Sequence, residues 1–208
     1  SILESSFDLW IDGYVGGIPD KKVSIYTHGA LIAFCLDAML LDENSSLHQV
    51  MKILWKRFGK PKIGYTMEEV WEVILSQTHH PIYFNQFYDD FILGKEDIFP
   101  LVAKHLSSQG FELDAKPKRD QLSSNYGIIK NDEGLIIKIH PESDAYNKLM
   151  LGDIIKSKTD TSNGVELSID RFGRELQVAL LNSEILLYKD FFLVDRKSNP
   201  KRDAWING

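Results

Sequence analysis

Apolar residues recur at helical spacing through the first half of the chain and at alternate positions through the second. Phe7, Trp10, Ile11 and Tyr14 predict a first helix, which "GGIPDKK" breaks. The run "VSIYTHGALIAFCLD", Val23 to Asp37, opens a second helix that extends to about Leu41. Ser46 and Gln49 stand as a capping box before the apolar face Leu47, Val50, Ile53, Leu54 and Phe58, with Gly59 as the stop. Thr66 and Glu69 repeat the device ahead of Val70, Val73 and Ile74. Phe84, Phe87, Tyr88 and Phe91 form the core face of a helix from about Pro81 to Leu93, closed by Gly94. A short helix near Leu101 to Leu106 completes this half.

The stretch "ELDAKPKRDQLSSN", Glu112 to Asn125, is polar and aperiodic and reads as a linker. Period two follows. "YGIIK" and "GLIIKIH" are strand candidates around the turn "NDEG", and a short helix runs from Ser143 to Gly152. "DIIKSK" is a further strand. Val165, Leu167 and Ile169 then alternate, Phe172-Gly173 turns, and Leu176, Val178 and Leu180 alternate back as a hairpin. The predicted class is α+β: an all-helical bundle over 1–112, a linker over 113–124, a small β domain over 125–195 and a tail over 196–208.

Composition narrows the partners. With 208 residues, 43% of them hydrophobic and 26% charged, the chain can bury two ordinary cores, and no apolar run is expected to span a bilayer. The net charge of −6 divides unevenly: residues 1–114 hold 9 Lys/Arg against 16 Asp/Glu (−7) and residues 115–208 hold 15 against 14 (+1). Neither half has the basic surplus that nucleic acid selects, so no nucleic-acid partner is expected. The single cysteine, Cys35, excludes an internal disulfide and reads as a buried, inert thiol.

Motifs for hydrolysis are missing. None of the histidines, at 28, 48, 79, 80, 105 and 140, belongs to a His-Glu-x-x-His pair, and there is no G-x-S-x-G elbow or phosphate-binding glycine loop. The adjacent His79 and His80 point about 100° apart if helical, and a solvated junction suits them better than a metal pair. Tyr26 stands out at the start of an apolar helix. Its phenol either packs at the helix end or points into a cleft, where it could donate a hydrogen bond to an oxyanion.

"YTHGALIAFCLD", Tyr26 to Asp37, resembles the Tyr-x-Lys-Gly-Ala-Leu segment of the glycyl aminopeptidase family of gluzincin zinc peptidases, whose thermolysin-like catalytic domain is followed by a PDZ domain. "SFDLWIDGY", "SLHQVMKILWKRFG", "GYTMEEVWEVI" and the final "AWING" fall in that family's order. The resemblance implies that Tyr26 hydrogen-bonds the oxyanion formed at the attacked peptide carbonyl, and that Gly29 lets another backbone or helix approach closely. His28 departs from the family's usual lysine. Because the family's zinc ligands precede this segment, the resemblance implies a C-terminal portion of a larger enzyme. The zinc would be bound outside this chain, with no metal ligand within it, and the piece would be inactive alone. The substrate would be the N-terminal end of a peptide or protein.

"NYGI", residues Asn125, Tyr126, Gly127 and Ile128, falls where a PDZ domain has its carboxylate-binding Gly-Φ-Gly-Φ loop, and "PESDAYNKLMLGDII" resembles the segment that follows. Only Gly127 survives of the loop glycines, so the peptide-binding loop is degenerate. Six residues, "TDTSNG", separate "DIIKSK" from the hairpin and leave no room for the second PDZ helix. The strand edge near Ile128 is expected to be open, covered by the C-terminal segment, or docked intramolecularly on the helical domain. Alternatively, the chain is a non-catalytic interaction scaffold with an ordinary β-rich or PDZ-like module.

Overall fold

The computed structural model describes Ile2, residues 24–196 and residues 199–207, so the helix predicted around Phe7 to Tyr14 lies outside the described residues. The described residues fall into two compact units. Ile2 and residues 24–113, 193–196 and 199–207 make a helical unit, and Asp114–Phe192 make a sheet unit.

The helical unit is organised around α1 (Ile25–Asp42). Ile32, Cys35, Leu36, Met39 and Leu40 recur at helical spacing and are buried together with Val50, Val73, Ile74, Phe84, Phe87, Ile98, Val102 and Leu106. The other members of this core come from α2 (Leu47–Leu54), α3 (Met67–Leu75), α4 (Pro81–Phe87) and α5 (Phe99–Ser108) with its preceding Ile98. The local signals place the helix starts: Thr66 Oγ1 accepts from the Glu69 N–H at 3.2 Å while Glu69 accepts from the Thr66 N–H at 2.9 Å, a complete capping box. Ser46 forms one half of the expected box, accepting from the Gln49 N–H at 3.3 Å, and Asp37 of α1 accepts from the Leu47 N–H at 2.7 Å. Two helices end in widened turns that periodicity does not announce, Trp55–Gly59 after α2 and Tyr88–Leu93 after α4.

Two sequence expectations change here. At 18 residues, α1 is long and apolar enough to cross a membrane by length and composition, contrary to the expectation that no run reaches that length. Ile32, Cys35, Leu36, Met39 and Leu40 on its apolar face are buried against residues of α2–α5. Cys35 on that face is fully buried, and burial pushes its thiol up to about 12, leaving it protonated and inert. The expected linker, 113–124, is structured. Strand β1 (Phe111–Pro117) pairs with a C-terminal strand, β7 (Lys189–Asp195), and Asp120 caps α6 (Gln121–Tyr126) by accepting from the Leu122 N–H at 3.1 Å. A two-stranded ribbon exposed over most of its length needs no apolar alternation, so β1 leaves no period-two signal.

The predicted tail is part of the helical unit. In α7 (Pro200–Asn207), Trp205 meets Phe34 edge-on at 5.7 Å, Arg202 lies 4.2 Å over the Phe111 ring, and Lys201 pairs with Asp42. Arg202 also grips Asp195 through both carboxylate oxygens, at 2.7 and 2.9 Å.

In the sheet unit β2 (Ile128–Lys130) pairs antiparallel with β3 (Ile136–Ile139), and β4 (Ile154–Thr161), β5 (Gly164–Arg171) and β6 (Arg174–Leu181) form a meander. A single bridge, Leu135 to Ile154, links the two sets. Val165, Leu167, Ile169 and Leu180 turn inward onto Leu122, Tyr126, Ile128, Ile136, Ala145 and Leu149, matching the alternation read from the sequence. The helix expected from Ser143 to Gly152 shortens to the 3₁₀ turn Asp144–Asn147. Between β4 and β5 only Ser162 and Asn163 remain outside the strands, so β4 runs straight into the hairpin with no intervening helix.

The Gly152-Asp153 pair does more than turn the chain. Asp153 is 2% exposed, and its carboxylate receives Arg171 Nε and Nη2, each at 2.8 Å, and the Met150 N–H at 2.8 Å. Arg171 Nη2 also donates to the Lys148 carbonyl at 3.0 Å. Burial pushes the Asp153 carboxyl upward, but the hydrogen bonds from Arg171 and Met150 outweigh it and hold the group below its ordinary value. The hairpin tip is conformationally costly: Phe172 has φ +55 and Gly173 φ +81, the paired left-handed geometry of a two-residue hairpin turn.

Asp153→Ala leaves the Arg171 guanidinium without its anion and is expected to cost about 3–5 kcal/mol in urea unfolding. With the folded pKa depressed, the contribution of Asp153 is complete above its unfolded value of about 3.9 and disappears as pH falls through the folded pKa. The gap between wild type and variant should therefore close in acid. Phe172→Asn should raise stability by about 1 kcal/mol, because Asn tolerates the left-handed region and the Phe172 ring is 87% exposed, with little packing to lose.

Candidate functional site

Tyr26 is the second residue of α1. Ser24, itself extended, caps the helix, its Oγ accepting from the Thr27 N–H at 3.3 Å and its carbonyl from the His28 N–H at 2.8 Å. Burial of the Ile32–Leu40 face sets the direction of the helix, and Tyr26 lies one turn or more beyond that face, 67% exposed. A phenol at a helix N-terminus stands where the helix dipole favours negative charge. At Gly29 a Cβ would meet Ile2 Cδ1 at 3.8 Å, an ordinary contact among the described residues.

The opposite end of α1 carries a carboxylate–imidazole pair absent from the sequence reading. Glu43, the residue that caps α1, accepts from the His79 N–H at 2.8 Å and lies 2.6 Å from His80 Nδ1. The His79 N–H, followed by the His80 ring, holds the Glu43 carboxyl below its ordinary value. Seventeen residues of helix place this pair about 25 Å from Tyr26, so the two cannot serve one reacting centre. No signal in the sequence joins Glu43 to His80, because the contact spans 37 residues. His105 on α5 is buried, and burial, then Lys104, pushes its pKa below the ordinary value. Among the described residues no three His, Cys, Asp or Glu side chains converge as a metal site, so these residues do not fit a zinc ion.

Asn125, Tyr126, Gly127 and Ile128 span the end of α6 and the start of β2. Gly127 adopts φ +66, and its N–H donates to the Leu122 carbonyl as a helix cap. That donor is committed within the chain, whereas a carboxylate cradle needs free N–H groups. The surroundings are closed as well. A Cβ at Gly127 would lie 2.7 Å from His140 Cβ, 2.8 Å from Ser143 Cβ and 3.0 Å from Leu187 Cδ1. The segment after β6 is tied down over this place: the Ser183 N–H donates to the Asn125 carbonyl and the Leu187 N–H to the Ser124 carbonyl, each at 2.9 Å. Tyr126 is buried, and that burial pushes its phenol upward.

No family model matches this chain. No curated protein matches it either. Among solved structures, the crystal structure of an aminopeptidase N family protein from Idiomarina loihiensis is similar over 99% of this chain, with a TM-score of 0.80 and 24% identity. The likeness covers 40% of that protein, so this chain spans well under half its length. At this identity the comparison shows a shared mixed helix-and-sheet fold.

Proposed function

We propose that this chain is the C-terminal portion of a zinc-dependent aminopeptidase of the glycyl aminopeptidase type, acting on the N-terminal end of a peptide, with a degenerate PDZ-like sheet unit. The observation that carries the reading is the fold: nearly the whole chain follows an aminopeptidase N family protein, at a TM-score of 0.80. The Tyr26 segment adds support, since its phenol is exposed at the helix start. The described residues do not supply a zinc site, and the metal ligands in this reading belong to the rest of the enzyme.

The role assigned to Tyr26 is donation of a hydrogen bond to the oxyanion that develops when a peptide carbonyl is attacked. Such a donor stabilises the transition state more than the bound substrate, because the charge it meets exists only there. The sheet unit in this reading is a structural module. Its one retained loop glycine caps a helix, its loop is covered by residues 183–187, and no helix stands between β4 and the hairpin to form a second wall of a peptide groove.

The coding region upstream of Ser1 tests the reading directly: it should encode His-Glu-x-x-His with a following glutamate, and its absence would leave a non-catalytic scaffold. In the complete enzyme, Tyr26→Phe is expected to lower kcat by about 10² to 10³, roughly 2.7–4 kcal/mol, with KM little changed. Wild-type turnover would remove Tyr26 from the chemistry. Titration of a C-terminal peptide library against this chain should show no micromolar binding that depends on a free carboxylate, which amidated peptides control for.

A further inference from the structure

Residues 44–67 contain no Asp or Glu and five cations, Lys52, Lys56, Arg57, Lys60 and Lys62. The remainder of residues 1–114 holds the other 4 Lys/Arg and all 16 Asp/Glu, a net of −12. A basic island thus stands within an acidic half. Its solvent face carries an open groove of about 470 Å³ lined by His48, Met51, Lys52, Trp55, Lys56 and Lys60. Lys52, Lys56 and Lys60 make no ion pair among the described residues, whereas Arg57 faces Glu69 and Glu72 at 3.9 Å.

The apolar part of the groove is unusual for a solvent face. Met51 and Trp55 are each 61% exposed. The Trp55 ring packs close to Gly59: a Cβ there would come within 2.3 Å of Trp55 Cε3 and 2.8 Å of Cζ3, so a larger residue would displace the indole from this position. Trp55 and Met51 thus offer exposed apolar surface beside the lysines.

We propose that this groove is a docking surface for an acidic, partly apolar segment of a partner protein, held extended along Lys52, Lys56 and Lys60 with an apolar side chain on Trp55 and Met51. Lys52 and Lys56 lie about one helical turn apart, near 6 Å, with Lys60 just after the widened turn, and alternate side chains of an extended strand are about 6.6 Å apart, so carboxylates at every second position can meet neighbouring ammonium groups. From His48 to Lys60 the groove is about 18 Å long, enough for about six extended residues. The surrounding acidity disfavours a dense polyanion such as nucleic acid, whose charge extends far beyond the groove. The surface is independent of the peptidase reading and of Tyr26.

The probe is a fluorescein-labelled peptide with Glu and Leu at alternate positions, titrated by anisotropy against the full 208-residue chain at low and high salt. Expected is saturable binding that weakens about tenfold as salt rises and about tenfold in Lys52→Glu/Lys56→Glu. Trp55→Ala should weaken it severalfold, and Lys62→Gln, outside the groove, should leave it intact. Circular dichroism confirms that each variant is folded. The proposal is overturned if the acidic peptide does not bind, if its binding ignores the charge reversal, or if a Lys-Leu peptide binds equally. It is also overturned if phosphatidylserine vesicles, but not the peptide, are bound through these lysines, or if the groove mediates only self-association of the chain in sedimentation.

Discussion

Burial of one face of α1 is the constraint on which the helical unit depends. Ile32, Cys35, Leu36, Met39 and Leu40 are each at most 9% exposed, and every other helix from α2 to α5 contributes a side chain to the core around them. Burying a large aliphatic side chain contributes about 1.5–3 kcal/mol, so this face outweighs the glycine and the polar residues at the helix start. The same burial determines what the ends of α1 can do. The first turn, with Ser24, Tyr26 and Thr27, is left at the surface, and Asp37 and Glu43 near the other end are spent on the N–H groups of Leu47 and His79.

The sheet unit depends on a polar contact of the opposite character. Asp153 immediately precedes β4 and Arg171 ends β5, and a fork of two 2.8 Å hydrogen bonds joins them. A buried ion pair contributes little net stability relative to an apolar alternative, but only one geometry satisfies it. Arg171 reaches the Lys148 carbonyl and Asp153 the Met150 N–H, so the pair also holds the loop after the 3₁₀ turn. Gly127 and the segment over it are constrained by sterics: three side-chain atoms stand within 3.0 Å of where a Cβ would be.

The sequence by itself determined the elements whose stability is local or periodic. The capping box at Thr66, the apolar faces of α1 to α5 and the alternation of Val165, Leu167 and Ile169 all follow from residue type and spacing, and all appear in the fold. Tertiary structure alone decided the rest. The ribbon of β1 and β7 joins strands more than 70 residues apart and is largely exposed, so neither carries a burial pattern to read. The return of α7 to the helical unit rests on Trp205, Lys201 and Arg202 finding Phe34, Asp42 and Phe111. The place of Tyr26 was legible because a helix start is a local feature. The Glu43–His80 pair and the covering of Gly127 by Leu187 were not: a contact between distant residues has no period, and only the folded chain brings its two halves together.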